Sequence, residues 1–428
     1  MSDENLDESV SHHPLENRPR RSTAFRPHLG QRDSVQLFLH DKQFPVKTKI
    51  TLSDVSLDEK GVRILAENQA WKEVLKICEK CLQLGSAPHE LLQYRLSQTI
   101  SLLRLHLHTF AQQNIDSLGD LNNNSVYFYE FYSNLYKQKK GNMVPFSLLL
   151  IKAVVPHFCG SDVQDDPNQP SSEDNKQTSG TNIALDRLYK LLQICGSNLK
   201  DGGALSNNRH HPPQEPIDEE QEAIWKVRQS RVILFIINCH ISSKQYSLAI
   251  ELLEKFTEKN SNFTETNPEQ FIVLISMLGC LYLQCGMLPF AEKCFQRAQS
   301  TASAVANPHV NVTCRLRLNA GYLKFSMGRY ADAIKDFEAV LQLDPFNVQA
   351  ANNRGICYLY SKDLISAINS IEEFIRRDPT KTLDETIVYN LSTMYDLESE
   401  NSAVKKKTIM TMIGRYCGDD FPTSAVKL

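Results

Sequence analysis

Apolar residues recur at helical rather than strand spacing through most of this 428-residue chain. Trp71, Val74, Leu75, Cys78 and Leu82 fall at i, i+3, i+4, i+7 and beyond, which is one face of an amphipathic helix. Leu92, Leu96, Ile100, Leu103 and Leu107 make a second stripe and predict one helix over residues 91–110. Leu185, Leu188, Leu191, Leu192 and Cys195 predict another over 183–199. Residues 232–241 pair with 246–256, with Ala249 as the small residue where two helices cross, and 271–284 pair with 289–298. Helices over 383–397 and 405–416 complete the series. Residues 36–56 hold short alternating apolar stretches and take no firm assignment.

Between Cys314 and Thr380 one pattern occurs twice. Gly321, Ala333 and Pro345 recur as Gly355, Ala367 and Pro379, each 34 residues later. A period near 34 with two helices per unit is the tetratricopeptide (TPR) signature. Small residues at Gly321 and Ala333 suit the point where the two helices of a hairpin cross. Phe337 and Leu341 continue the buried stripe of the second helix, and Asp344-Pro345 ends it. The usual tryptophan four positions before the glycine is Arg317 here and Ala351 in the next unit. Leu278-Gly279, Tyr282, Ala291, Phe295 and Ala298 carry the pattern upstream. Gly279 lies 42 residues before Gly321, which predicts an extension of eight residues through longer helix ends around 300–308. An ordinary helical bundle with a coincidental period is the alternative, and agreement in register over two whole units weighs against it.

The expected fold is all-α: a TPR-type right-handed superhelical solenoid of antiparallel helix hairpins. Clear repeats occupy 271–299, 314–347 and 348–381 within a solenoid over 183–428, and helices over 383–416 cap it. Residues 36–160 read as degenerate TPR-like hairpins that keep the apolar period. Residues 1–35, polar and with Arg18, Arg20 and Arg21 clustered, are expected to be a disordered tail. Residues 161–182 and 200–217 are expected to be two polar loops.

Composition narrows the chemistry. Net charge is −3 and the isoelectric point about 6.5, so no basic footprint for nucleic acid is present. The aromatic run Tyr127-Phe128-Tyr129-Glu130-Phe131-Tyr132 precedes its lysines instead of interleaving with them, which favours core packing over base stacking. The start Met1-Ser2-Asp3-Glu4 is unlike a secretory signal, so the eleven cysteines are expected to be reduced thiols in the cytosol. No apolar run reaches the roughly 18 residues of a membrane span. The longest candidate, 143–155, is broken by Pro145 and Lys152 and reads as a core helix. Cys78-Glu79-Lys80-Cys81 has CxxC spacing with no second pair, and both thiols fall in a helical pattern. Cys280 and Cys285 fall in another. His12-His13 and His210-His211 are isolated pairs in polar segments. No phosphate-binding glycine loop or catalytic motif is found, so no catalytic residue, metal site or cofactor is expected.

What remains is surface. The first helix of each hairpin lines the concave face of a TPR solenoid. That places Arg315, Leu318, Asn319 and Tyr322 beside Gln349, Asn352, Asn353 and Ile356 as candidate protein-binding residues. Arginine and asparagine there can hold an extended peptide or its carboxylate, cover another subunit, or stay solvated. A co-chaperone clamp for acidic peptides wants polar donors where Leu318 and Ile356 stand, so that use is the weaker alternative.

Three blocks carry a more specific likeness: Gly141-Asn142-Met143-Val144-Pro145-Phe146-Ser147 after the tyrosine-rich stretch, the run from Asp384 through Tyr389-Asn390-Leu391-Ser392-Thr393-Met394-Tyr395 to Ser399, and the ending Gly418-Asp419-Asp420-Phe421 with Val426-Lys427-Leu428. Together with the repeats they resemble the family of the TPR-containing subunit twelve of the transport protein particle (TRAPP) complex, from about residue 56 onward. The resemblance implies a non-enzymatic scaffold in a vesicle tether acting between endoplasmic reticulum and Golgi and in autophagy. It implies other TRAPP subunits as partners, a Rab GTPase activated by the complex as an indirect one, and peripheral membrane association through the complex. The implied location is the cytoplasmic side of ER–Golgi intermediate and Golgi membranes. The exchange residues of such a complex belong to small core subunits of another fold, so none is carried onto this chain.

Overall fold

The structure, a computed structural model, describes residues 50–159, 179–200, 219–305, 307–398 and 401–426. The tail at 1–35, residues 161–178, residues 201–217 and both histidine pairs lie outside the described residues. Among those described there is no β-strand, and the helices are α1 (Glu59–Glu67), α2 (Trp71–Gln83), α3 (Pro88–Arg104), α4 (His108–Asp116), α5 (Phe146–Cys159), α6 (Gly180–Lys200), α7 (Glu219–Ser242), α8 (Tyr246–Lys259), α9 (Phe263–Thr266), α10 (Pro268–Gln284), α11 (Leu288–Ser303), α12 (Val310–Ser326), α13 (Tyr330–Leu343), α14 (Val348–Tyr360), α15 (Leu364–Arg377), α16 (Pro379–Thr382), α17 (Glu385–Glu398) and α18 (Ser402–Tyr416). The all-α, TPR-type expectation holds. Each helix packs on its neighbours along the chain, the quasi-one-dimensional order of a solenoid.

The period explains the hairpins. α12–α13 and α14–α15 are two units in register, and their crossings are set by the glycines. A Cβ on Gly321 would lie 2.6 Å from the Phe337 ring, and one on Gly355 would lie 2.8 Å from Ile371. The small residue therefore receives the side chain four positions after the signature alanine, while Ala333 and Ala367 are themselves fully buried. Gly279 receives Phe295 in the same way. The offset of 42 also resolves: α11 is two residues longer than α13, the following connector is two longer, and α12 starts four residues earlier than α14 relative to its glycine.

Hairpin turns recur as well. Gly286 and Gly328 sit in the left-handed region after α10 and α12, with φ of 72° and 73°. Lys362 takes the same place after α14 at 64°, and Lys244, His106 and Gln69 do so after α7, α3 and α1. A residue with a Cβ is strained there, so glycine marks only two of these six turns in the sequence. This accounts for one departure from expectation. Residues 91–110 form two helices, because Leu107 N donates to Leu102 O and His106 N to Leu103 O in a left-handed C-terminal cap. Leu107, expected on the buried stripe, is 40% exposed, and Phe110 beyond it is 59% exposed.

Where the tryptophan of the consensus is missing, charge replaces it. Arg317 Nη1 lies 3.7 Å from Asp336 Oδ1, and Lys324 Nζ lies 2.5 Å from Asp336 Oδ2. Asp336 is buried at the crossing of α12 and α13. In the next unit Ser370 stands at that register and accepts a 2.9 Å hydrogen bond from Arg354 Nε. Ala351 simply fills its place, fully buried. Two buried tyrosines tie units together: Tyr282 donates to Glu254 and Tyr395 to Glu372, each glutamate five residues after a signature alanine.

The aromatic run serves packing. Tyr127, Tyr129, Tyr132 and Tyr136 lie against the cluster of Leu121, Met143, Leu148 and Val155, and Phe131 alone stays largely exposed. α5 is a core helix opened by Pro145, and Lys152 turns out of its buried side to donate to Gly119 O.

A candidate protein-docking groove

A groove of about 1050 Å³ runs along the first helices of successive hairpins, between α7, α10 and α12, and reaches the start of α14. Each of these helices turns several residues toward it. On α7 these include Lys226, Val227 and Arg231; on α10, Val273 and Met277; on α12, Arg315. Val227, Val273 and Met277 are 60%, 42% and 38% exposed, large apolar side chains facing solvent inside a concavity. Such surface is where a protein covers its partner.

The charges of the groove are unevenly matched. Its carboxylates are occupied from within the chain. Glu222 pairs with Lys226 at 2.7 Å, Glu269 accepts from His309 N at 3.3 Å, and Asp344 accepts from Phe346 N and Asn347 Nδ2. Among the described residues, Lys259 reaches the amide oxygen of Gln229, at 3.3 Å. Arg315 faces the half-buried Cys280 and Tyr322. Burial pushes the Tyr322 phenol up to about 12, and the Arg315 charge pulls the other way. The same two causes act on Cys280, whose pKa ends raised. The groove thus offers apolar surface and guanidinium groups, and its acids are already engaged.

The eight residues nominated from the sequence divide. Arg315 and Gln349 line the groove, with Leu318 at its floor, 3% exposed. Asn319 is 2% exposed and donates to Ser276 Oγ at 2.8 Å, joining α12 to α10. Asn352 accepts from Asn390 Nδ2 at 2.7 Å and joins α14 to α17. Asn353 bonds back to Gln349 O on its own helix. Tyr322 and Ile356 pack against the C-terminal core. Asn319 and Asn352 therefore join helices of neighbouring units instead of facing a partner. Sequence reasoning missed Val273 and Met277, although the register points to them: they stand six and two residues before Gly279, as Arg315 and Asn319 do before Gly321. The α7 wall carries no signature glycine, and only its helical spacing marks it.

Elsewhere the thiols are packing groups. Cys78 and Cys81 are buried in α2, and burial pushes Cys78 up to about 12. Cys357 stands at about 12 and Cys195, Cys239 and Cys294 at about 11 for the same reason. Cys285 is the C-cap of α10 rather than part of it. Among the described residues no group of three or more His, Cys, Asp or Glu side chains is arranged to hold a metal ion, and no helix is long and apolar enough to cross a membrane.

A tetratricopeptide repeat family model matches residues 315–347, which run from the second turn of α12 through α13 to the residue before α14. Over most of its length the chain is similar to the human Trafficking protein particle complex subunit 12. The identity is 27% over 411 residues, covering 93% of this chain and 52% of that protein. Its mouse counterpart is 26% identical over 411 residues, covering 93% and 48%. The chain spans about half the length of the curated relatives it matches. Among solved structures, a tetratricopeptide repeat protein from Parabacteroides merdae is similar at 12% identity, with 80% of this chain and 93% of that one covered and a TM-score of 0.39.

Proposed function

We propose that this chain is a non-catalytic scaffold subunit of a TRAPP-type vesicle-tethering complex, acting in traffic from endoplasmic reticulum to Golgi and in autophagy. The observation that carries the reading is the likeness to subunit 12 of the trafficking protein particle complex along 93% of the chain, well beyond the residues of the generic repeat. An extended stack of helices suits the role, because each hairpin adds surface without adding a new core. In this reading the partners are other TRAPP subunits. A Rab GTPase is met indirectly, through the exchange activity of the complex. Membrane contact is peripheral, at ER–Golgi intermediate and Golgi membranes. The concave groove, with Arg315 and Gln349 on one wall, is where a segment of a neighbouring subunit docks.

The test is affinity capture of the endogenous protein followed by quantitative mass spectrometry with chemical crosslinks. Stoichiometric recovery with other TRAPP subunits is the expected result. Recovery as a lone species, or nucleotide exchange on a Rab by the isolated chain, overturns it. A second reading, a peptide-binding adaptor of the co-chaperone kind, draws on Arg231 and Arg315, the guanidinium groups that line the groove. Calorimetric titration with acidic carboxy-terminal peptides separates the two, since Leu318 at the floor leaves a carboxylate clamp short of a donor.

A further inference from the structure

Two parts of the chain that are 347 residues apart in sequence meet in space. α2 starts at Trp71, and the residue before it is Ala70, which has no side chain able to satisfy the first-turn amides. The missing cap comes from the other end of the solenoid. Lys72 N donates to Asp419 Oδ2 at 3.3 Å, and Lys72 Nζ stands 4.0 Å from Asp419 Oδ1. In return Asp419 N donates to Gln69 O at 3.1 Å. Gln69 is the left-handed residue of the α1–α2 turn, with φ of 56°.

The fit around this exchange is close. A Cβ on Gly418 would run into the Cβ of Gln69 and lie 2.8 Å from its Oε1, so only glycine lets the tail lie against the turn. On its far side the tail is anchored. Ala425 and Val426 are 3% and 4% exposed in the C-terminal core, and the short turn Thr423–Ala425 packs on α17. Among the described residues, the helix pairs with extensive packing lie close to one another along the chain.

We propose that residues 417–420 form a releasable clasp that joins the two ends of the solenoid into a closed circuit. The Asp419 cap and its backbone hydrogen bond, at a partly exposed site, together contribute roughly ten- to a hundredfold to closure over opening. A contribution of that size favours the closed form at rest and is small enough for a partner that covers either the α1–α2 turn or the tail to release it. The solenoid then changes from a fixed ring to a pair of free arms, without any hairpin unfolding.

Amide hydrogen exchange and small-angle X-ray scattering on the full chain test this. Asp419→Ala is expected to speed exchange about tenfold at both Lys72 and Asp419 and to raise the radius of gyration. Asp419→Asn keeps an acceptor and is expected to stay near the parent chain. Ala70→Asp gives α2 a cap of its own and places a second carboxylate beside Asp419. It is expected to leave Lys72 slow to exchange while Asp419 becomes fast, a split that loss of the α1–α2 hairpin would not produce. Unchanged Asp419 exchange and an unchanged scattering profile in both Asp419→Ala and Ala70→Asp would overturn the proposal. So would loosening of α2 alone with the tail still protected.

Discussion

The ion pair at the α12–α13 crossing gives the sharpest test of how this solenoid is held together. Asp336 has a side chain only 7% exposed, Lys324 is 32% exposed and Arg317 is 56% exposed. The three charges are therefore not equivalent when one is removed. Asp336→Ala frees two cations that can both turn into water, so the loss is that of a charged hydrogen bond, about 2 kcal/mol. Lys324→Met leaves the carboxylate at the buried crossing with Arg317 alone, 3.7 Å away. Stranding a buried charge costs about 3–5 kcal/mol, and the partial help from Arg317 puts the expected value near the bottom of that range, about 3 kcal/mol. The double variant Lys324→Met/Asp336→Leu removes both charges and fills the crossing with apolar atoms. It is expected to lie within about 1 kcal/mol of the parent.

A stacked array does not unfold as one two-state unit, so a melting midpoint of the whole chain would dilute the effect. Native-state amide exchange of α12 and α13 reads it directly. A loss of about 3 kcal/mol raises the open population of that hairpin more than a hundredfold. The order Lys324→Met worse than Asp336→Ala, with the double variant better than either, is the signature of a buried acid. If Asp336→Ala proves the more damaging, or the double variant sums the two single losses, then water reaches the carboxylate and the pair is an ordinary surface one.

Two further outcomes follow from local geometry. Gly321→Ala is expected to destabilise its hairpin by about 1 kcal/mol: a gain near 1 kcal/mol in helix propensity is outweighed by overpacking against Phe337. Gly196→Ala in α6, where a Cβ meets nothing within 4 Å, is expected to stabilise; both are read by native-state amide exchange of the helix concerned, and equal signs would refute the crossing argument. His157, whose Nδ1 lies 3.0 Å from Thr181 Oγ1 between α5 and α6, has its pKa lowered from 6.5 by burial. Its folded state favours the neutral ring, so the contribution is complete above 6.5 and lost as pH falls through the lower folded value. The local opening free energies of α5 and α6, from amide exchange corrected for intrinsic rates, should therefore differ less between neutrality and about pH 5 in His157→Gln than in the parent chain.

How much of this was legible in the sequence depends on whether a feature repeats. Gly279, Gly321 and Gly355 announce the hairpins because a Cβ at each would meet Phe295, Phe337 or Ile371, and that steric demand recurs with the unit. The turn at His106 has no such mark. A left-handed residue other than glycine is tolerated because two backbone hydrogen bonds hold it, and a reading of apolar spacing runs straight through it. The candidate groove shows the same division. Arg315 and Gln349 could be placed on one face from register alone, whereas nothing local distinguishes them from Asn319 and Asn352, which spend their amides on Ser276 and Asn390 in adjoining helices.

The clasp is the extreme case of this limit. A helix that begins at Ala70 without a cap looks like a weak start when only its neighbours in sequence are considered. Its partner, Gly418-Asp419, looks like a turn in a tail. Each becomes intelligible through the other, and the distance between them is the length of the whole solenoid. A repeat pattern fixes how one hairpin sits on the next; the small rotation per hairpin, summed along the stack, decides whether the two ends meet. That sum is sensitive to the extra residues between Gly279 and Gly321, since a longer α11 and an earlier start for α12 change how those two units stack. Trimming α11 and α12 to the common period should weaken the clasp even though every residue that forms it is kept.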